Sequence, residues 1–538
     1  MAIFATGSSK ARWAVGLAIL VAFWLLGPWV LLFSFVSLFS ERVRGFLAPR
    51  FKGRLALVTT LALVIGVLAI LVAPSGRFPI ISGPGVLVGA DYVGRPAQAR
   101  PIRIAVEANP SLAGPGHTPR NADAGATNTV PWSGPLGEQP VVESTTYGAR
   151  QCGRISIARD GGLLATCVSA LGAHLVSLDP KSLRVQDSWK LPDRPNGGVN
   201  PFANACTGAN FYLDNHDRVV LATADRKLHR LTTSGGFKDD RTFDLRAVIA
   251  ARDCLLSALP DWSGRIWFLT REGTVGFMDQ ATGRVSSRRL AGESLTELTT
   301  DPNGAVYAAT THYIYQLKAT KLVGKRAVGI GWRYLLPKGA AVRVGGVSVA
   351  TPSALVVLPS GEIGYADHES DRLRVVFLRA SDGREICSAP VFEAGRGATS
   401  TPMAVVGNGV LVTNNAGYSG PWRTLLGRTT TPGVARVDLA DGHCEVKWTN
   451  DELSAPSAAP KVSLVTGLAY FVTKPHSWAG IDAWYFTAVE VSSGRVAYRV
   501  RLGSGPQFTQ HHSAVYLGPD GSAYLPVMTG IVKVSDRS

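Results

Sequence analysis

Three short polar clusters contain the residues of this chain that are best suited to chemistry. They are Asp214-Asn215-His216-Asp217, Asn414-Asn415 and His511-His512. Carboxylate and amide oxygens and histidine nitrogens can bind a polar ligand or a metal, and histidine can act as a base. Neighbouring histidines on a strand point to opposite faces, so His511 and His512 are not expected to line one site without a bulge. We predict that these clusters lie at a channel or a rim.

Aromatic residues in three Gly- and Pro-containing stretches give a second candidate binding surface. They are Trp422, Trp478 and Trp484. Exposed tryptophan favours contact with a protein or a carbohydrate, and the alternative is that these side chains are buried. The sequence contains no nucleophile elbow, Walker loop or HExxH motif. We therefore assign no catalytic, cofactor-binding or metal-binding residue.

All cysteines fall after residue 150, at Cys152, Cys167, Cys206, Cys254, Cys387 and Cys444. An even number of cysteines in an exported region predicts disulfides, although the sequence leaves their pairing open. The alternative is a set of buried thiols in a cytosolic domain. No CxxC pair or Cys/His cluster has the spacing of a zinc site.

Two uncharged apolar runs, residues 13–40 and 55–76, determine the predicted compartment. Each is long enough to cross a bilayer, which takes about 20 apolar residues. The loop between them carries Arg42, Arg44, Arg50, Lys52 and Arg54 against Glu41. Because basic loops tend to stay in the cytoplasm, both chain ends are expected outside. Gly27-Pro28 leaves the alternative that the first run is broken or re-entrant.

These features predict a multi-pass protein of the plasma membrane with six segments. They are an extracytoplasmic tail (1–12), a first transmembrane helix (13–40), a basic cytoplasmic loop (41–54), a second transmembrane helix (55–76), a Pro/Gly-rich linker (77–143) and an extracytoplasmic body (144–538). The expected partners are the lipid bilayer and another membrane or envelope protein. The net charge of +16 comes without an arginine-rich tail or zinc-finger spacing, so nucleic acid is not an expected partner.

Short β-type segments separated by turn residues fill the body, which is therefore predicted to be all-β. A hairpin motif with an Asp- or Ser-rich turn recurs at 178–185, 278–285, 379–386, 437–444 and 489–496, with weaker copies between them. The intervals match one four-stranded blade each and predict a β-propeller of eight blades, with seven as the alternative. A strand from residues 102–148 is expected to complete the final sheet.

The repeats resemble those of the quinoprotein-like (PQQ-repeat) β-propellers over about residues 150–538. The resemblance is carried by Ala281-Thr282-Gly283-Arg284, by Ser493-Gly494-Arg495-Val496-Ala497-Tyr498 and by the strands at 400–405 and 409–412. Trp189 and Trp448 resemble the family's docking tryptophan, and the alternative is ordinary packing between blades. Quinoprotein dehydrogenases have a disulfide between adjacent cysteines, which this chain lacks. The resemblance therefore favours the fold over a quinone enzyme.

One turn, Asp301-Pro302-Asn303-Gly304, resembles the calcium-binding segments of lactonase-type propellers, although the same residues form ordinary β-turns. We conclude that the sequence predicts a membrane-anchored, extracytoplasmic propeller. Its expected role is non-enzymatic binding or scaffolding, for instance in an envelope-assembly complex, without a cofactor. The alternative is a lactonase-like metal hydrolase or a degenerate quinoprotein dehydrogenase.

Overall fold

The computed structural model describes residues 9–37, 39–40, 76–104, 107–117, 125–148, 150–169, 172–193, 210–322, 325–336, 354–367 and 371–537. Within these ranges the chain begins with two α-helices and continues as a ring of eight antiparallel sheets.

The two helices are α1 (Ser9–Leu26) and α2 (Trp29–Ser37). They are separate because Gly27 has a positive φ of 103° and Pro28 has no N–H to continue the helical hydrogen bonds. The first apolar run is thus broken at the proline. Of the second predicted span only Gly76 is described, and the predicted basic loop at 41–54 lies outside the described residues.

Among the described helices, none is both long enough and apolar enough to cross a membrane. The prediction of a multi-pass protein of the plasma membrane is therefore wrong, and the described helices do not support the transmembrane helix predicted at 13–40. The helix predicted at 55–76 lies, apart from Gly76, outside the described residues.

Three short strands precede the first blade. They are β1 (Tyr92–Gly94), β2 (Thr129–Val130) and β3 (Pro140–Thr146). Each joins a blade formed much later in the chain, so parts of the predicted linker at 77–143 are integrated into the ring.

The first four blades follow in chain order. Blade 1 consists of β4 (Gln151–Ile157), β5 (Leu163–Ser169), β6 (Gly172–Leu178) and β7 (Val185–Lys190). Blade 2 consists of β8 (Asn210–Leu213), β9 (Val219–Ala222), β10 (Lys227–Thr232) and β11 (Lys238–Asp244). Blade 3 consists of β12 (Leu255–Pro260), β13 (Ile266–Thr270), β14 (Thr274–Met278) and β15 (Val285–Arg289). Blade 4 consists of β16 (Leu295–Thr300), β17 (Val306–Thr310), β18 (Tyr313–Leu322) and β19 (Lys325–Leu335).

The last four blades complete the ring. Blade 5 consists of β20 (Val356–Val357), β21 (Ile363–Asp367), β22 (Leu373–Leu378) and β23 (Glu385–Val391). Blade 6 consists of β24 (Ala404–Val406), β25 (Gly409–Thr413), β26 (Val434–Ala440) and β27 (His443–Asn450). Blade 7 consists of β28 (Lys461–Ser463), β29 (Leu468–Thr473), β30 (Ala483–Glu490) and β31 (Val496–Ser504), with β1 and β2 at its edges. Blade 8 consists of β32 (Tyr516–Leu517), β33 (Ala523–Val527), β34 (Gly530–Asp536) and β3.

Strand β3 closes the ring by pairing with β34. The two strands run antiparallel, with Pro140 opposite Asp536 and Thr146 opposite Gly530. An early strand therefore completes the final sheet, and both this prediction and the prediction of eight blades are confirmed. The seven-bladed alternative is wrong.

Tryptophans on outermost strands lock neighbouring blades together. The Nε1 of Trp332 donates to the carbonyl of Ala380 at 2.8 Å, and the Nε1 of Trp448 donates to the carbonyl of Val491 at 3.0 Å. Each ring covers a turn glycine of the next blade, where no Cβ would fit. Trp189 packs beside the ring of His229 at 5.2 Å. These tryptophans pack between neighbouring blades. For Trp189 and Trp448 this agrees with the alternative of ordinary packing between blades.

Disulfides reinforce the ring at two described places. Cys152 and Cys167 join β4 to β5, whereas Cys387 and Cys444 join the outermost strands of blades 5 and 6. Cys254 is also disulfide-bonded, and Cys206 lies outside the described residues. The prediction of disulfides is confirmed for these pairs. Since disulfides persist in oxidising surroundings, they indicate an extracellular location.

The described parts of residues 107–137 pack along the inner strands of the ring. The amide of Ala113 donates to the carbonyl of Leu213 at 2.9 Å, and the Nε1 of Trp132 donates to the carbonyl of Leu517 at 2.7 Å. β2 adds to β28, the inner strand of blade 7, in parallel. This segment therefore packs against the first strands of several blades.

Candidate functional site

The direction of the strands divides the candidate residues between two faces of the ring. We define the lower face by the connections from first to second and from third to fourth strand of a blade, and the upper face by the other connections. Neighbouring strands are antiparallel, so these two sets of connections lie at opposite ends. Asp214, Asn215 and His216 belong to the lower face. Asn414, Asn415, Trp422, Trp478 and His511 belong to the upper face.

On the lower face, Asp214 organises its own turn. Its Oδ1 accepts the amides of His216 and Arg218, both at 2.9 Å, and its Oδ2 accepts the Nε of Arg218 at 2.8 Å. The Nδ2 of Asn215 donates to the carbonyl of Pro110 at 2.8 Å and thereby contacts the segment that packs on the first strands. The side chain of His216 is exposed. The three residues share a turn, but Asp214 and Asn215 have structural partners.

On the upper face, Asn414 and Asn415 are buried, and their side-chain amides form hydrogen bonds with backbone groups. Asn414 accepts the amides of Ala398 and Ala416, and its Nδ2 donates to the carbonyl of Arg396 at 2.9 Å. Asn415 accepts the amide of Ser400 at 3.0 Å. Both amides therefore join the start of blade 6 to the loop after β25.

His511 lies 5% exposed beside Tyr418, whose hydroxyl is 2.7 Å from the Nδ1 of the imidazole. The rings of His511 and His512 both contact Tyr418, with centroids 5.8 and 5.6 Å away. The expectation that the two rings would diverge is wrong because this stretch is not a strand and His512 has a positive φ of 47°.

The candidate tryptophans differ sharply in exposure. Trp478 is 96% exposed and Trp422 is 51% exposed, whereas Trp484 is 1% exposed and belongs to the core of blade 7. Leu426, which the sequence did not single out, is 66% exposed. The amide of Ser477 donates to the carbonyl of Gly427 at 2.9 Å, which brings Leu426 and Trp478 to adjoining loops. We call the exposed side chains of Trp422, Leu426 and Trp478 the apolar patch.

A buried ion pair fixes the two loops that carry the apolar patch. The Nζ of Lys474 lies 3.1 Å from the Oδ1 of Asp482 and donates to the carbonyl of Arg428 at 2.7 Å. Asp482 also accepts the amides of Leu426 and Gly427 at 3.1 and 2.8 Å. Burial lowers the pKa of the Lys474 ammonium, and Asp482 opposes this shift. The pair thus holds one loop against the other.

The helix junction packs beside these loops. The Nε1 of Trp24 donates to the carbonyl of Ser82 at 2.9 Å, and the carbonyl of Trp24 accepts the amide of Gly85 at 2.8 Å. Arg501, 8% exposed, donates to the carbonyls of Gly85 and Val86 at 2.8 and 3.1 Å. Residues 82–86 therefore connect the helix junction to blade 7.

Sequence reasoning missed Tyr418, Lys474 and Asp482. Each lies in a loop, where no periodic pattern of apolar residues predicts which side chains are buried. For the loop of Trp422, the sequence offered one local signal of order. Pro421 favours a helix start, and a short 3₁₀ helix spans Pro421–Thr424.

The turn that resembles a calcium site uses its carboxylate internally. Asp301 accepts the amide of Ala305 at 2.9 Å and the hydroxyl of Tyr307 at 2.7 Å. In the part of the chain that the structure describes, no three His, Cys, Asp or Glu side chains come together as a metal site.

Comparison with known proteins gives relatives of the fold. No protein-family model matches the chain. A curated relative, an uncharacterized protein of Archaeoglobus fulgidus, is 22% identical over 416 residues, which cover 70% of this chain and 78% of the relative.

Two solved structures have a similar fold. BamB from Moraxella catarrhalis is 14% identical, with a TM-score of 0.46 and coverage of 71% of this chain and 95% of that chain. Quinohemoprotein alcohol dehydrogenase from Comamonas testosteroni is 11% identical, with a TM-score of 0.48 and coverage of 80% and 82%. The likeness concerns the propeller fold and assigns no activity to this chain.

Proposed function

We propose that this protein is a non-enzymatic binding propeller of an extracytoplasmic compartment. Its upper face binds a partner protein through the apolar patch of Trp422, Leu426 and Trp478. The single observation that carries the proposal is the 96% exposure of Trp478 on a loop that adjoins the loop of the 51% exposed Trp422. Large apolar side chains that gather at the surface of a folded domain commonly mark an interaction site.

The rigidity of the two loops supports this role. The pair formed by Lys474 and Asp482 fixes the loops before a partner arrives, so association costs less conformational entropy. Tryptophan is enriched among the residues that dominate binding energy at protein interfaces. A rigid platform with exposed tryptophans therefore suits recognition by a preformed surface.

The rim of the patch defines the chemistry of the partner. Arg423, Arg428 and His476 are exposed around it. A partner with an apolar centre and acidic residues at its margin would match both parts, because complementary rim charges favour specific encounter.

Site-specific photo-crosslinking in intact cells tests the proposal. A benzophenone amino acid replaces Trp478 in the full chain, and the control carries it at Lys181, an exposed residue of a lower-face turn. We expect a protein adduct at position 478 that is absent at position 181. Adducts with lipid alone, or the same proteins at both positions, would contradict the proposal.

The identified partner then allows an affinity measurement. Trp478→Ala should leave the melting temperature unchanged, because the side chain is 96% exposed. It should weaken binding by about 30-fold, the effect of losing about 2 kcal/mol at an interface anchor. An unchanged affinity would remove the apolar patch from the interface.

A further inference from the structure

The outer hairpin of blade 4, formed by β18 and β19, extends farther than its counterparts in other blades. The pairing of β18 with β17 ends at Leu317, opposite Val306, whereas residues 318–322 pair with β19 alone. In blades 1, 3 and 5 the third strand ends where its pairing with the second strand ends. β18 and β19 together contain five Lys or Arg residues and no Asp or Glu. The extension of blade 4 is therefore positively charged.

A groove of about 330 Å³ lies between this hairpin and blade 3. Ala319 and Lys321 of the hairpin line one side, and Phe277 and Asp279 of blade 3 line the other. Asp279 begins the turn from third to fourth strand of blade 3, which also carries Arg284. The groove therefore places Lys321 beside the turn of Arg284.

Two hydrogen bonds continue this basic surface across the neighbouring blades. The Nη1 of Arg288 on β15 donates to the carbonyl of Val328 on β19 at 3.2 Å. The Nη1 of Arg241 on β11 donates to the carbonyl of Gln280, in the turn of Arg284, at 2.7 Å. Basic side chains thus lie on adjoining segments of blades 2, 3 and 4. We define the basic belt as Arg241, Arg284, Arg288 and Lys321.

The charges of the basic belt lack acidic partners in the part of the chain that the structure describes. There, no carboxylate forms an ion pair with any of its four side chains. In blade 2, Asp240 binds Arg218 and Arg230 rather than Arg241. The Oδ1 of Asp279 accepts amides of its own turn, at 3.1 and 2.9 Å. The belt therefore keeps a positive charge that Asp279 offsets only in part, and such a surface attracts anionic ligands.

We propose that the basic belt binds an extended acidic polymer that carries a negative group on each unit. The belt crosses three blades, so a chain of anions meets successive basic side chains, whereas a single small anion reaches fewer of them. Guanidinium groups bind phosphate or carboxylate through paired N–H donors, and lysine supplies a point charge on a flexible stem. The belt shares no residue with the apolar patch and forms a second, separate interaction surface.

Titration of the full chain into fluorescently labelled inorganic polyphosphate, followed by fluorescence anisotropy, tests the proposal. Each neutralised charge on a flexible polyanion contributes about 0.7 to the slope of log affinity against log salt. Four belt residues therefore give a slope of about −2.8, or about 50-fold weaker binding when the salt concentration rises about fourfold. Tripolyphosphate should compete poorly at equal phosphate concentration. Equal competition would show a site for a single small anion and would overturn the proposal.

A triple variant locates the binding on the belt. Arg284→Gln, Arg288→Gln and Lys321→Gln change exposed side chains, so the melting temperature should be little changed. The slope should fall to about −0.7, the share of the remaining Arg241. An unchanged slope in the folded triple variant would also overturn the proposal.

A matched triple variant controls for net charge. It removes the same three charges from exposed turns of blades 1 and 5, through Lys181→Gln, Arg184→Gln and Arg384→Gln. This variant should keep the slope of the unsubstituted chain, and an equal loss of affinity in both triple variants would show attraction by net charge alone. Binding to phosphatidylglycerol vesicles without binding to polyphosphate would likewise overturn the proposal. Trp478→Ala should bind polyphosphate normally, so the outcome does not depend on the apolar patch.

Discussion

The buried pair of Lys474 and Asp482 gives the sharpest test of how the upper face is held. Lys474→Met keeps the alkyl chain but removes an ammonium that is 0% exposed and lies 3.1 Å from a carboxylate that is 12% exposed. Breaking a buried ion pair costs about 3–5 kcal/mol. Asp482 keeps the amides of Leu426 and Gly427 as donors, so we expect the lower end of this range, about 3 kcal/mol.

Amide hydrogen exchange measures this cost where it arises. The amide of Gly427 donates to Asp482 at 2.8 Å, so its exchange reports opening of the loop contact. A loss of about 3 kcal/mol corresponds to exchange that is about 150-fold faster. A double-mutant cycle with Asp482→Asn gives the interaction energy between the two side chains, apart from the effects of the single substitutions.

An exposed ion pair provides the matched control. Arg396 and Glu393 lie 2.7 Å apart, but their side chains are 60% and 70% exposed. Arg396→Met should change stability by less than about 0.5 kcal/mol. If Lys474→Met accelerates exchange at Gly427 by less than about fivefold, or if the cycle shows no coupling, then the ion pair does not hold the loops together.

Three further predictions concern the ring itself. The double substitution of Cys387 and Cys444 by serine should lower the free energy of unfolding by about 4 kcal/mol, because the disulfide closes a loop with a sequence separation of 57. Urea unfolding measures this loss, and a loss below about 1 kcal/mol would contradict the prediction. Hydrogen bonds from the amide and hydroxyl of Ser182 lower the pKa of Asp179. The carboxylate therefore stabilises the fold above about pH 4, and this contribution is lost as the pH falls through its folded pKa. Asp179→Ala should accordingly lower the melting temperature at pH 7 but much less at pH 3, and an equal shift at both pH values would be evidence against this linkage. Asn415→Ala should lower the free energy of unfolding in urea by about 2 kcal/mol, because it leaves buried donors without an acceptor. Partner binding should persist in the folded fraction, and a selective loss of binding would show that Asn415 contacts the partner.

The blade count could be predicted from sequence because the repeated turns are local structures. Asp279 shows why: its Oδ1 accepts the amides of Ala281 and Thr282 within the same turn. The residues that make the turn are therefore adjacent in the sequence and recur with it. Strand closure followed from the same count, because β32, β33 and β34 supply three strands of the last sheet and a four-stranded blade needs a fourth.

The candidate site was less predictable because burial depends on contacts between distant segments. Trp478 and Trp484 are six positions apart, yet one is 96% and the other 1% exposed. Trp484 lies on β30, whose residues are buried on both faces except at its end. Alternation of polar and apolar residues cannot separate faces in such a strand. For the apolar run at 13–40, hydropathy alone predicts one long helix, whereas the alternative raised by Gly27-Pro28 agrees with the helix end found there.

The pairing of β3 with β34 has a consequence for biosynthesis. The ribosome makes β3 nearly 400 residues before its partner (536 − 146 = 390). At about 5–20 residues per second, the nascent chain waits tens of seconds with an unsatisfied strand edge. The last sheet therefore forms only after residue 536 has been made, and a helper that shields this edge in the meantime would raise the yield of native molecules.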